Sequence, residues 1–122
     1  MAADTEIRLR PCRRPRACVS TQAEGRSKMY PIPYDGPLAQ AREKMLRILR
    51  ATPRTEITEE GPTHIKAECR TLLFRFVDYV DLVFDDAAKV IHFRSASRIG
   101  TYDYGVNRRR MERIRRLFLS SE

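Results

Sequence analysis

The stretch FRFVDYVDLVF at residues 74–84 decides the fold, because apolar and polar side chains alternate along it. Successive side chains in a β-strand point to opposite faces. One face of this strand would therefore carry Phe74, Phe76, Val80, Leu82 and Phe84. Three more runs alternate in the same way, at residues 54–60, 63–72 and 90–99. Four such runs joined by short turns predict an antiparallel meander with one apolar face.

An amphipathic segment lies on each side of these runs. After Pro37, apolar residues recur at helical spacing until Pro53, which would end the helix. A second amphipathic segment covers about residues 107–119. We therefore expect an α+β fold in the order helix, four-strand antiparallel meander, helix, with both helices on one face of the sheet.

The domain boundary follows from a change in pattern. Residues 30–122 carry the periodic segments and would form a single α+β domain. Residues 1–29 are basic and show no clear period, so we expect an extended N-terminal arm there.

Charge is distributed unevenly along the 122 residues. The net charge of +8 comes from the two ends, because eleven basic and eleven acidic residues balance one another between residues 30 and 106. A hydrophobic content of 42% is too high for a disordered chain. No apolar run approaches the roughly 20 residues of a membrane-spanning helix. No apolar leader follows Met1 either, so we expect a soluble cytoplasmic protein without a transmembrane segment.

Several polar residues stand where a strand should be apolar. Asp78 would lie on the apolar face, so its carboxylate needs a partner, for which Arg94 and Arg98 are candidates. Ser95 and Ser97 would face the opposite way from these two arginines. They either allow close packing of a neighbouring segment or line a polar pocket, and the sequence leaves both open.

The predicted second helix opens with three consecutive arginines, residues 108–110. Positive charge at a helix N-terminus opposes the helix dipole. Asn107 would cap this helix. The arginines must be offset by carboxylates, such as Asp103 or Asp78, or by a bound anion.

The sequence contains LFRFVDYVD at residues 73–81, RSASRIGTYDYGVNRRRMERIR at residues 94–115 and CRRPRACVSTQ at residues 12–22. Together, these three stretches resemble the domain-of-unknown-function family fourteen-ninety-nine (DUF1499). Residues 73–81 are similar to the family's FRFVDDVE, and residues 94–115 follow its RSASRxGxxDxGVNRxRxExIR. Residues 12–22 resemble its C-P-x-x-P-N-C-V-S-S-Q. Many relatives look exported or membrane-associated. The family has no established activity, so the resemblance implies a shared site but no reaction. That site would consist of Arg75, Asp78, Arg94, Ser95, Ser97, Arg98, Asp103, Asn107, Arg108 and Arg110.

The residues favour a non-enzymatic binding or accessory protein. No nucleophile–base pair, metal-ligand set or glycine-rich phosphate loop is evident, so we expect no cofactor. Guanidinium groups suit carboxylate and phosphate, and the Arg/Ser/Asn cluster would therefore bind a small anion or an acidic partner segment. One alternative is an enzyme with Asp78 or Asp81 as general base and arginines that stabilise an anionic intermediate. Another is nucleic-acid association through the basic residues 8–16 and 108–116.

The cysteine pattern permits two chemical states. Cys12 and Cys18 are separated by five residues, which is a weak pattern for zinc, and we expect no metal there. In the cytosol the two thiols would be reduced, whereas in an exported relative the same pair would form a disulfide.

Overall fold

The computed structural model describes residues 8–120, which form two helices and six strands. The helices are α1 (Leu38–Ala51) and α2 (Val106–Ser120). The strands are β1 (Cys18–Ser20), β2 (Ile32–Pro33), β3 (Thr55–Glu60), β4 (His64–Arg70), β5 (Val77–Asp85) and β6 (Val90–Ser97). A 3-10 helix, Gly25–Ser27, lies between β1 and β2. The expected α+β class is confirmed.

The six strands form one antiparallel sheet in the order β1-β6-β5-β4-β3, and β2 also pairs with β6. The longest ladder joins β5 to β6, where Asp78 lies opposite Ser97 and Asp81 opposite Arg94. Every second residue of β5 is buried, from Asp78 to Phe84. Alternation along this strand therefore gives the sheet a buried inner face and a partly exposed outer face.

Both helices pack on the inner face. Met45 and Leu49 of α1 and Met111 and Ile114 of α2 are almost completely buried, and they join the inward side chains of the sheet in one hydrophobic core. The helix α1 ends at Ala51, and its C-cap, Thr52, lies directly before Pro53, where the sequence predicts the end. Among residues 8–120, no helix has the length and apolar character needed to cross a membrane.

The N-terminal segment, residues 8–33, differs from the extended arm expected over residues 1–29, of which residues 1–7 lie outside the described part of the chain. Residues 17–20 are buried, and β1 pairs with residues 94–96 of β6. Two arginines of α2 hold the chain between β1 and β2: Arg108 donates to the carbonyls of Arg26 and Lys28, and Arg115 donates to those of Tyr30 and Pro31. Strands of three and two residues are too short for alternation to reveal them.

The prediction that Phe74 and Phe76 point into the core is wrong. The chain leaves β4 at Arg70 and enters β5 only at Val77, and both phenylalanines are exposed in the loop between them. Arg75 has φ of 60°, which interrupts extended backbone. The alternation of apolar and polar residues in the sequence continues through this turn, so the pattern alone does not show where β5 begins.

Candidate functional site

A buried ion pair replaces the partner expected for Asp78. Asp78 is 1% exposed, and Nη2 of Arg110 donates to its Oδ2 at 2.7 Å. Arg94 and Arg98 do not reach this carboxylate. Arg94 lies opposite Asp81, an odd number of residues from Asp78, and therefore on the outer face of the sheet. The partner instead comes from the first turns of α2, which packs on the inner face.

Asn107 connects this ion pair to the start of α2. Its Oδ1 accepts hydrogen bonds from Ser95 at 2.7 Å and from Arg110 at 2.9 Å. Its Nδ2 donates to Ser97 at 3.2 Å and to Asp103 at 2.7 Å. Asn107 is completely buried, so these bonds replace the water it loses.

Asp103, rather than Asn107, caps α2. Its carboxylate accepts from the backbone N–H groups of Gly105 at 2.8 Å and Asn107 at 3.1 Å. A carboxylate at this position also complements the positive end of the helix dipole. The prediction that Asn107 is the N-cap is wrong because α2 begins one residue earlier, at Val106.

This buried polar network fixes α2 against β6, and its arginine already has partners. Arg110 donates to Asp78, Ser95 and Asn107. The network therefore presents no free guanidinium to a ligand. The pairing of Asp78 with Arg110 also argues against Asp78 as an accessible general base, because a base needs an open path to its substrate.

The predicted site residues thus separate into groups. Asp78, Ser95, Ser97, Asp103, Asn107 and Arg110 lie together in the buried network. Arg108 instead contacts backbone carbonyls of the N-terminal segment, and Arg75 lies in the exposed loop 71–76. Arg94 and Arg98 lie beside a cleft on the other side of the sheet.

The cleft beside Arg94 and Arg98, here called the arginine cleft, has a volume of about 320 Å³. The N-terminal segment forms one wall, and β5 and β6 form the other. Tyr79 and Ser97 also line it. Five arginines line it, namely Arg10, Arg13, Arg14, Arg94 and Arg98.

Arg94 is the least exposed of these arginines, and one of its donors has no partner. Its Nη2 donates to the carbonyl of Pro11 at 3.3 Å, but its Nε is buried and has no acceptor among residues 8–120. Within that range no carboxylate lies at ion-pair distance from it. Burial lowers the pKa of Arg94; Asp81 on the neighbouring strand raises it, and Arg10 and Arg14 lower it further.

The Cys12–Cys18 disulfide forms the turn that carries part of the cleft. It joins α-carbons 5.5 Å apart and closes a loop over residues 13–17. Arg14 of this loop donates to the carbonyls of Gly100, Ser97 and Arg98, which fixes the loop against the end of β6. The two thiols are therefore oxidised, and the remaining cysteine, Cys69, is free and buried.

Sequence reasoning did not group Arg10, Arg13 and Arg14 with Arg94, because it assigned them to an extended arm and considered them only for nucleic-acid association. The available signal was the spacing of Cys12 and Cys18 around several arginines. A short disulfide loop fixes the residues inside it. Pattern alone could not show that this loop would lie beside Arg94.

The histidines of the described chain serve local contacts. His64 pairs with Glu59 at 2.6 Å on the surface, and Nδ1 of His92 lies 2.9 Å from the hydroxyl of Thr21. Over residues 8–120, no group of three or more His, Cys, Asp or Glu side chains is arranged to hold a metal ion.

Comparison with family models finds a match over most of the chain. The model of a family described as "Protein of unknown function (DUF1499)" matches residues 8–118. A search of the curated proteins finds no match. The matched range includes both the buried polar network and the arginine cleft.

Proposed function

The chain belongs to the DUF1499 family of proteins of unknown function, and we propose that it is a binding protein that holds a small anion in the arginine cleft. The ligand would carry a carboxylate or phosphate group. This proposal keeps the binding class expected from the sequence but uses the outer face of β6 rather than the buried network.

The observation that carries the proposal is the buried Nε of the Arg94 guanidinium, which has no acceptor among residues 8–120. A buried donor without an acceptor costs roughly 1–3 kcal/mol, because it has lost water and gained nothing in return. An oxyanion in the cleft would supply acceptors to this group. Bonds between charged partners are about twice as strong as neutral ones, so the gain on binding is large.

The charge around Arg94 supports the same ligand. Arg10, Arg13 and Arg98 have no carboxylate partner within residues 8–120, and Asp81 is the acidic side chain that opposes Arg94 across the ladder. Five guanidinium groups line the cleft and no carboxylate of residues 8–120 does, which gives an excess of positive charge there. An anion would lower this repulsion.

The size and lining of the cleft favour a small molecule. A volume of about 320 Å³ is at the lower end of ligand sites in proteins. The hydroxyl of Tyr79 can orient an oxyanion by a further hydrogen bond. An acidic peptide would extend beyond this cleft, so a free phosphate or small carboxylate fits better.

Calorimetric titration with inorganic phosphate and with succinate tests the proposal. We expect the wild-type protein to bind at least one of them, and Arg94→Gln and Arg98→Gln to weaken that binding at least about tenfold, since each removes a charged donor. Arg98 is exposed, so its substitution removes no buried contact. Arg116→Gln is the matched control, because Arg116 is exposed on α2 outside the cleft.

Two results would contradict the proposal. The first is no detectable binding of either anion to the wild-type protein. The second is equal weakening by Arg98→Gln and Arg116→Gln, which would show that only the overall net charge attracts the anion.

A further inference from the structure

The loop between β4 and β5, residues 71–76, exposes an unusual amount of apolar surface. Leu72, Leu73, Phe74 and Phe76 are 66%, 80%, 71% and 54% exposed. Scattered exposed apolar residues are ordinary, but four large ones within five positions form a contiguous patch. Such a patch marks an interaction surface or causes aggregation.

This apolar loop has a defined conformation. The backbone N–H of Thr71 donates to the carbonyl of Phe76 at 2.9 Å, and the N–H of Phe76 donates to the hydroxyl of Thr71 at 2.9 Å. Arg75 donates from its N–H to the carbonyl of Thr71 at 3.1 Å. The rings of Phe74 and Phe76 are stacked, with centroids 5.5 Å apart. The loop therefore presents its apolar side chains without a further ordering cost.

Other exposed apolar groups lie at the same end of the sheet. The N–H of Arg98 donates to the carbonyl of Val77, which places the start of the β6–α2 loop beside the end of the β4–β5 loop. Ile99, the next residue, is 66% exposed. Tyr102 and Tyr104 follow in the same loop and are also exposed. Aromatic rings with a polar group are favoured where water meets lipid.

Arginines surround this end, and two of the nearest carboxylates, those of Asp78 and Asp103, are occupied. Arg75 lies within the apolar loop, Arg98 beside it, and Arg54 donates to the carbonyl of Arg70 at the adjoining strand ends. Asp78 is bound to Arg110, and Asp103 caps α2. Glu56 of β3 and Glu68 of β4 lie opposite each other, one residue pair further from the loop than Thr55 and Cys69.

An apolar tip with a basic surround is complementary to an anionic lipid surface. Apolar side chains gain by entering the boundary between headgroups and acyl chains, and basic side chains gain by contact with anionic headgroups. A second copy of the chain fits less well, because two arginine-rich ends would face each other. We infer that residues 71–76, together with Ile99, dock the protein onto an anionic membrane surface.

Flotation with vesicles tests this inference. We expect the wild-type protein to float with vesicles of equal parts phosphatidylcholine and phosphatidylglycerol, and at least about tenfold less with phosphatidylcholine alone. The variant Leu73→Ser/Phe74→Ser should float at least about tenfold less with the anionic vesicles. Both side chains are exposed and outside the core, so this variant keeps the fold and the arginine cleft.

Tryptophan fluorescence locates the contact, since the chain contains no tryptophan. The variant Phe74→Trp should show a blue-shifted emission on adding anionic vesicles. The matched control is Ala88→Trp, which puts the same reporter in the exposed β5–β6 turn at the other end of the sheet. Its emission should stay unchanged.

Four outcomes would overturn the inference. They are no flotation of the wild-type protein, equal flotation of Leu73→Ser/Phe74→Ser, and an emission of Phe74→Trp that vesicles leave unchanged. The fourth is a blue shift of Phe74→Trp that follows protein concentration without vesicles, which would assign the loop to a second copy. None of these results depends on anion binding in the cleft, so this inference and the proposed function can fail separately.

Discussion

At the scale of single residues, Asp78 and Arg110 form the contact whose loss would cost most. Asp78 is buried, and only 12% of the Arg110 side chain is exposed. Removing one member of a buried pair leaves the other charged group without water or partner, which costs about 3–5 kcal/mol.

We therefore predict that Arg110→Met lowers the free energy of unfolding by about 3 kcal/mol in urea denaturation. Adding Asp78→Asn to this variant should restore part of the loss, because no unpaired charge then remains buried. Arg50→Met removes the exposed pair with Glu60 and should cost less than about 1 kcal/mol. Equal costs for the two arginine variants would show that Arg110 is not a structural partner.

His92 gives a prediction about pH. Burial lowers its pKa below the ordinary 6.5; Asp85 raises it, and Lys28 lowers it. A neutral ring can accept a hydrogen bond from Thr21, whose hydroxyl also accepts from the N–H of Phe93 at 3.2 Å. Because the unfolded chain binds the proton more readily, His92 stabilises the fold above the ordinary pKa. That contribution is lost as the pH falls towards the lowered value.

We expect the wild-type protein to lose more stability than His92→Gln between about pH 8 and about pH 5, measured by urea denaturation at each pH. His64→Gln is the control, since His64 lies on the surface beside Glu59. If both variants lose as much stability between these pH values as the wild-type protein does, His92 is excluded as the source of the pH dependence.

Residue-scale reasoning from the sequence reached the buried network only in part. The need of Asp78 for a partner was correct. Of the helix arginines, Arg110 does pair with a carboxylate, whereas Arg108 donates to backbone carbonyls instead. The choice of Arg94 was wrong, since strand alternation places Arg94 and Asp78 on opposite faces. The unsatisfied Nε of Arg94 follows from how the N-terminal segment covers it, and no pattern in the sequence encodes that.

At the scale of elements, long periodic segments were predictable and short ones were not. The fourteen residues of α1 bury four side chains at helical spacing, and β5 buries every second residue. By contrast, β1 is three residues long and β2 two, and both depend on β6 for pairing. The loop 71–76 was hidden because its apolar residues continue the alternation of β5.

The disulfide loop before β1 allows a direct chemical test. In protein purified without reductant and then unfolded, we expect thiol titration to detect one thiol, that of Cys69, and three after reduction. Cys12→Ser/Cys18→Ser should lower the free energy of unfolding by about 2 kcal/mol, because a short loop is no longer closed in the unfolded chain. The control is Cys69→Ala, which leaves the disulfide in place, so reductant should still lower its stability. Three thiols detected before reduction would show that the disulfide is absent.

At the scale of the whole molecule, both proposed surfaces lie at one end of the sheet. Arg14 contacts the carbonyl of Gly100, and Arg98 lines the arginine cleft next to Ile99 of the docking surface. The opposite end carries the β5–β6 turn, where Lys89 pairs with Asp86 at 2.8 Å. Positive charge is thus concentrated at one end, which would orient the protein in the field of an anionic surface.

The hydrogen bonds between α2 and the N-terminal segment affect the order in which the chain folds. The bonds from Arg108 to Lys28 and from Arg115 to Tyr30 join positions 80 and 85 residues apart, and β1 and β2 pair with β6. Contacts at such separation form slowly, since the chain between their ends must first be brought together. During synthesis, the first strands leave the ribosome long before their partner exists. The N-terminal segment therefore remains open to chaperones and proteases until the end of the chain has been made.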